Sequence, residues 1–236
     1  MANSSGGPYI ISFSGLDGSG KSTQIANLRE ALAAWRCETK LLAFWDDVVV
    51  LTRYREGFVH RVYKSEPGIG SPEKPVNRRD KNVRAWYLTI ARHVLYFLDA
   101  LNLRLVLTRA RRCNPDVIVM DRYIYDELAN LPLSNPISRA FVKLVCAIAP
   151  RPDVAFLLDA DPHAARARKP EYPVQFMREC RSWYHRLAAA LRTMTVIPPM
   201  PLEDAQREVV TAVAQVLRKS VSPNLTGPRI ELGKSA

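Results

Sequence analysis

Residues 15–23 read G-L-D-G-S-G-K-S-T and meet the pattern G-x-x-x-x-G-K-[ST] at Gly15, Gly20, Lys21 and Ser22. Each residue type in this pattern has a reason to sit beside phosphate. Glycines let the backbone wrap closely around phosphate oxygens and turn its N–H groups inward. A helix opening near Ser22 adds the positive end of its dipole to the same anion. Lys21 can neutralise β- and γ-phosphate charge, and the Ser22 hydroxyl is suited to hold Mg²⁺. The expected cofactor-binding set is Gly15, Asp17, Gly18, Ser19, Gly20, Lys21, Ser22 and Thr23, and the cofactors implied are ATP and Mg²⁺. The bland alternative is a chance Gly-rich turn, and the strand-like run before it and helical run after it argue against that.

Such a loop needs a strand and a helix to hold it. Residues 9–14 are a short apolar run suited to a buried parallel strand. Ile25, Leu28 and Leu32 then recur at helical spacing. Further strands are expected over 39–44, 116–120, 154–158 and 195–197. Helices are expected over 136–149, 171–194 and 203–218, and residues 45–82 read as a long irregular loop rich in Pro and Gly. Between them, Ile90, Val94, Leu98, Leu101 and Leu105 continue a three- and four-residue rhythm that begins at Val83. This predicts one long amphipathic helix over 83–112. Strands alternating with helices imply an α/β fold, a doubly wound parallel sheet of about five strands. Ligands then bind at the carboxyl ends of the strands, where the loop of 15–23 and Asp121 both fall.

The 236 residues suit a single domain over 9–218, with a flexible N-terminus over 1–8 and a flexible tail over 219–236. Cys37, Cys113, Cys146 and Cys180 form no CxxC pair and read as small hydrophobes in a reducing compartment. No apolar run is long enough to span a bilayer, and residues 1–8 carry no leader pattern, so a soluble, cytoplasmic protein is expected. The net charge of +11 fits polyanionic ligands such as nucleotides, or equally a solubilising surface. The basic cluster of Arg104, Arg109, Arg111 and Arg112 lacks interleaved aromatics, which does not favour nucleic acid. The loop motif alone does not separate kinases from GTPases or motor ATPases. The absence of an N-K-x-D motif counts against a GTPase.

Three motifs in order narrow the class. Residues 13–24 read F-S-G-L-D-G-S-G-K-S-T-Q, 117–123 read V-I-V-M-D-R-Y, and 158–162 read L-D-A-D-P. Together they resemble the thymidylate kinase family over residues 9–218, with 45–82 unmatched. The resemblance implies an ATP-dependent nucleoside monophosphate kinase, commonly a homodimer. It places Asp121 with Ser22 at the metal, Arg122 on the transferring and acceptor phosphates, and Asp17 beside the acceptor phosphate and sugar. It puts Arg92 against the acceptor base, with Leu88 where a stacking aromatic is usual. It sets Arg166, Arg168 and Lys169 in a lid over about 161–175. The catalytic set implied is therefore Lys21, Asp17, Arg122, Arg166 and Arg168, and the substrate set Arg92, Leu88 and Arg122.

The acceptor half departs from the family pattern. Asp126, Glu127, Asn130 and Leu131 stand where base- and sugar-reading residues are expected after D-R-Y, and the R-E-P-G-G loop is missing. Two other readings follow. A deoxynucleoside kinase would need a base to deprotonate an alcohol, and Asp46 and Asp47 lie where such a base would sit, although that family carries E-R-S in place of D-R-Y. A nucleotide-binding regulatory protein without turnover is the third.

Overall fold

The computed structural model describes residues 7–50 and 86–220, and side chains within the second block from 90 to 218. Of the expected flexible ends, 1–8 and 219–236, residues 1–6 and 221–236 lie outside the described residues, as does most of the expected loop over 45–82, whereas residues 219–220 continue the last helix.

Five short apolar segments form a fully parallel sheet: β1 (Tyr9–Gly15), β2 (Thr39–Ala43), β3 (Val117–Asp121), β4 (Val154–Leu158) and β5 (Met194–Ile197). Their order across the sheet is β2-β3-β1-β4-β5. β1 is buried along its whole length and pairs on both sides, Ile11 opposite Val119 of β3 and Val154 of β4. Alternation of side chains splits the core in two. On one face Tyr9, Ile11, Phe13, Val119 and Phe156 pack under α1 (Lys21–Ala34) and, through Val209 and Val213, the last helix. On the other, Ile10, Leu42, Ile118, Met120 and Ala155 pack against α2 (Trp86–Arg111) and the helices that follow it. Of these, α3 (Ile124–Leu128), α4 (Pro136–Ile148) and α6 (Val174–Leu191) cover this face; α5 (Pro162–Arg168) packs in a small separate cluster around Ala165, and α7 (Leu202–Ser220) is the last helix, on the first face.

Local chemistry explains several boundaries. Asn135 accepts a hydrogen bond from the Ile137 amide at 2.9 Å and Pro136 opens α4. Asp161 accepts from the Ala164 amide at 2.9 Å and Pro162 opens α5. Both pairs use a side-chain cap followed by the residue that needs no amide partner. The D-P of L-D-A-D-P is thus a helix start.

Three expectations are corrected. Phe44–Val48 forms a π-helical turn where an irregular loop was expected, held by the Asp47 carboxylate accepting from the Ala43 amide at 2.7 Å. Cys113 is exposed, whereas Cys37 and Cys180 are buried. The third concerns α2. Its core face is Tyr96, Asp99, Ala100, Leu103 and Leu107, while Ile90, Val94, Leu98, Leu101 and Leu105 are between 38% and 55% exposed. At about 100° per residue the two sets lie on roughly opposite sides of one helix. A helix apolar on two sides has no single periodic face to read. No described helix is long and apolar enough to cross a membrane.

Candidate active site

The loop between β1 and α1 closes on positive-φ glycines, Gly15 at +141°, Gly18 at +79° and Gly20 at +93°. At two of them neighbours come close enough to exclude any side chain. A Cβ on Gly15 would lie 2.4 Å from the Leu158 carbonyl oxygen, and one on Gly18 2.3 Å from that of Ala165 in α5. Helix α5 therefore rests directly on the loop. Ser19 stands in this loop with its hydroxyl oxygen buried and without a hydrogen-bond partner among the described residues. Such a group is costly unless something polar completes it.

Lys21, the first residue of α1, folds back under the loop. Its ammonium donates to the carbonyls of Gly15 at 2.9 Å and Leu16 at 2.7 Å. It is only 6% exposed, and burial first, then the Arg122 charge, lowers its pKa to about 8 against the partial compensation of Asp17, Asp126 and Asp121. Ser22 and Thr23 face outward on the opening turn.

At the end of β3, hydrogen bonding brings Arg122 to the loop. Its guanidinium bridges two carboxylates, donating to Asp17 Oδ1 from one terminal nitrogen and to Asp126 Oδ1 at 3.2 Å from the other. Its backbone sits at φ +66°, and its amide donates to the Phe13 carbonyl at 2.9 Å. Burial opposes its charge, but Asp126, Tyr184 and Asp17 outweigh that and push its pKa above the usual range. Asp121 is half-buried, paired in register with Phe13 of β1 and Ala43 of β2. Lys21, Asp17, Arg122 and Asp121 thus converge at the carboxyl edge of the sheet.

The remaining candidates divide. A cleft runs from Ser19 and Gly20 past Arg168 to Ile197, Pro198 and Met200 after β5. Arg168 lines it, with a terminal nitrogen 4.0 Å from where a Cβ would stand on Gly20. Arg166 is half-buried, and its Nε finds no partner among the described residues. Lys169 is paired with Glu171 at 3.2 Å. Arg92 lies on α2 near Tyr96, a phenol whose pKa is raised by burial and by Glu127. Leu88 belongs to the first turn of α2, and its side chain lies outside the described residues. Asp46 and Asp47 are exposed on the π-helical turn.

Two placements were not legible in advance. Asp126, expected among the base-reading positions, is buried beneath Arg122, where it accepts from Ser14, Tyr123 and Tyr184. Ser14 gave a weak signal as a hydroxyl in an otherwise apolar strand, and Tyr184 gave none.

The donor set fits a nucleoside triphosphate with magnesium. Among the described residues no cluster of three or more His, Cys, Asp or Glu could cage a metal. Mg²⁺ fits such a site, being held by one carboxylate or hydroxyl, water and substrate phosphates.

No protein-family model matches the chain. It is 28% identical over 230 residues to the "Probable thymidylate kinase" of Pyrobaculum aerophilum, spanning 90% of this chain and 97% of that protein. It is 30% identical over 161 residues to the "Probable thymidylate kinase" of Sulfolobus acidocaldarius, 68% of each. The chain belongs to the thymidylate kinase family. In this family member the phosphate loop, D-R-Y and L-D-A-D-P occupy one sheet edge, with Asp17 and Arg122 joined across it.

Proposed function

We propose that this chain transfers the γ-phosphoryl group of Mg-ATP to a nucleoside monophosphate, thymidine monophosphate being the acceptor to test first. The observation that carries this reading is the convergence of Asp17, Lys21 and Arg122 at the sheet edge of a thymidylate kinase family member. An acceptor phosphate oxygen is already anionic, so it attacks the γ-phosphorus without a base, and the bond to the β–γ bridging oxygen breaks to release ADP. What the protein must supply is position and positive charge.

Lys21 neutralises the β- and γ-phosphates, with the loop amides of residues 15–20 around them. Arg122 receives the acceptor phosphate, releasing Asp17 toward the acceptor sugar. Arg166 and Arg168 of the lid, residues 161–175, bring charge to the group in flight, and the cleft beside Arg168 takes the donor nucleoside. Ser22 and Asp121 would hold Mg²⁺, which when bound would supply neutralisation of phosphate charge. Arg92, with Leu88 on the same helix, addresses the acceptor base. Residues 9–218 act as one domain. The exposed stripe of α2 supports a homodimer, with a second copy covering it.

A coupled ADP-release assay over nucleosides, nucleoside monophosphates and small phosphorylated metabolites tests the reading. Turnover is expected with a monophosphate, to be crippled by Arg122→Ala and little changed by the double change Asp46→Asn, Asp47→Asn. Turnover of nucleosides that depends on the two aspartates would transfer the chain to the nucleoside kinases.

A further inference from the structure

The chemistry above leaves out Asp126, yet four donors converge on its carboxylate. Ser14 Oγ at 2.6 Å and the Tyr123 amide at 3.1 Å donate to Oδ2. Tyr184 Oη at 2.7 Å and the Arg122 guanidinium at 3.2 Å donate to Oδ1. A carboxylate offers about four acceptor sites, and here each has a donor. Asp126 is also 6% exposed, so it has neither room nor spare capacity to bind a nucleotide. What it can do is hold Arg122.

The guanidinium is a planar fork whose direction is set by what grips each prong. One prong meets Asp17 in the phosphate loop, at the position a phosphate would contest, and the other meets Asp126. The Asp126 end is fixed by groups from three elements: Ser14 of β1, the Tyr123 amide before α3, and Tyr184 of α6. We propose that Asp126 is a positioning residue that fixes the Arg122 guanidinium at the mouth of the phosphate loop, with Tyr184 bracing it from α6. Through Tyr184 the brace ties Arg122 to the helix that directly follows the lid helix α5. A small hydroxyl at residue 126 would be too short to span Ser14, Tyr184 and Arg122 together. The catalytic consequence rests on the phosphotransferase reading; the positioning of the guanidinium does not.

Two measurements on the full chain test it. The first is steady-state kinetics with Mg-ATP and the best acceptor monophosphate for Asp126→Asn, Tyr184→Phe, Arg122→Ala and the double variant Arg122→Ala, Asp126→Asn. Misplacing one charged group costs about 10- to 100-fold in kcat for Asp126→Asn, with the KM for Mg-ATP within about threefold of wild type. Tyr184→Phe removes one oxygen and gives a smaller loss of the same kind, and it carries the test should Asp126→Asn not fold. In the Arg122→Ala background, Asp126→Asn should change kcat by less than about twofold, because residues that act as a unit do not add. Losses that multiply would overturn the proposal. The second measurement is the ¹⁵N–¹H signal of the Arg122 side-chain Nε, assigned by its absence in Arg122→Ala. It should shift or broaden in Asp126→Asn and Tyr184→Phe, and an unmoved signal overturns the proposal. If the wild-type chain phosphorylates none of the acceptors, the proposed function fails while the Arg122 signal still decides the role of Asp126.

Discussion

Lys21 can attract phosphate only while protonated, and its burial under the loop makes that charge expensive. Its pKa falls from an ordinary 10.5 to about 8, so in the free protein the cation is half discharged at about pH 8. Folding therefore releases a proton in the window between those values, and this residue's contribution to stability rises with pH there. ATP binding has the opposite sign, because the polyanion favours the charged form. Affinity for ATP should be flat below about pH 8 and fall by up to tenfold per pH unit above it, as measured by titration calorimetry. Lys21→Ala should abolish that slope and lower turnover about 10²-fold or more; a folded variant with near-wild-type turnover would remove Lys21 from the chemistry. Asp121→Asn should raise the Mg²⁺ concentration needed for half-maximal rate and lower the maximum, and a magnesium titration like that of wild type would take Asp121 out of the metal site. Lys21 and Ser22 could be picked out from sequence, since a phosphate loop is a local motif whose residues are neighbours in the chain, and Asp121 because it is the acid that ends the apolar run of β3. Asp126 could not be understood that way, because its role comes from Ser14 and Tyr184, 112 and 58 residues distant.

Between elements, the contact that matters is the Ala165 carbonyl of α5 against Gly18 of the loop. Gly18→Ala places a methyl group 2.3 Å from that backbone oxygen and asks an alanine to hold φ +79°. Loop or α5 must then move, so turnover should fall by an order of magnitude or more while thermal unfolding shifts little, both elements lying at the rim. Unchanged kinetics would mean that the loop and α5 do not need this contact. Elements themselves were easy to read where one periodicity ruled: β1, β3 and β4 are short apolar runs, and α4 carries Asn135 and Pro136 as its start signal. The face of α2 was not. Ile90, Val94, Leu98, Leu101 and Leu105 make the more obvious stripe, but they point away from the sheet. The core face has only Leu103 and Leu107 as large aliphatics, beside Ala100, Asp99 and Tyr96, which a hydrophobic rhythm flags weakly. Asp99 is fully buried because it accepts from the Val50 amide at 2.8 Å, a partner far away in sequence.

For the whole molecule, that outward stripe is the feature with the largest reach. Four turns of exposed Leu, Val and Ile on one helix form the kind of patch that marks an interface. Light scattering coupled to size exclusion should report a dimer, and Leu98→Glu with Val94→Lys should give monomers that retain the fold. Wild type running as a monomer at tens of micromolar would refute a second copy on α2. The order of the sheet has a different kind of consequence. β1 lies in the middle, bonded to β3 and β4 and buried from Tyr9 to Gly15, and the phosphate loop begins on its last residue. Amides of residues 11–14 each face one neighbouring strand, β3 or β4, and meet solvent only when that strand parts from β1, which makes them candidates for the slowest hydrogen exchange in the molecule. The edge strands β2 and β5 can fray without disturbing them. The loop is thus anchored to the segment that opens last, so partial unfolding that frees an edge of the sheet leaves the phosphate cradle standing.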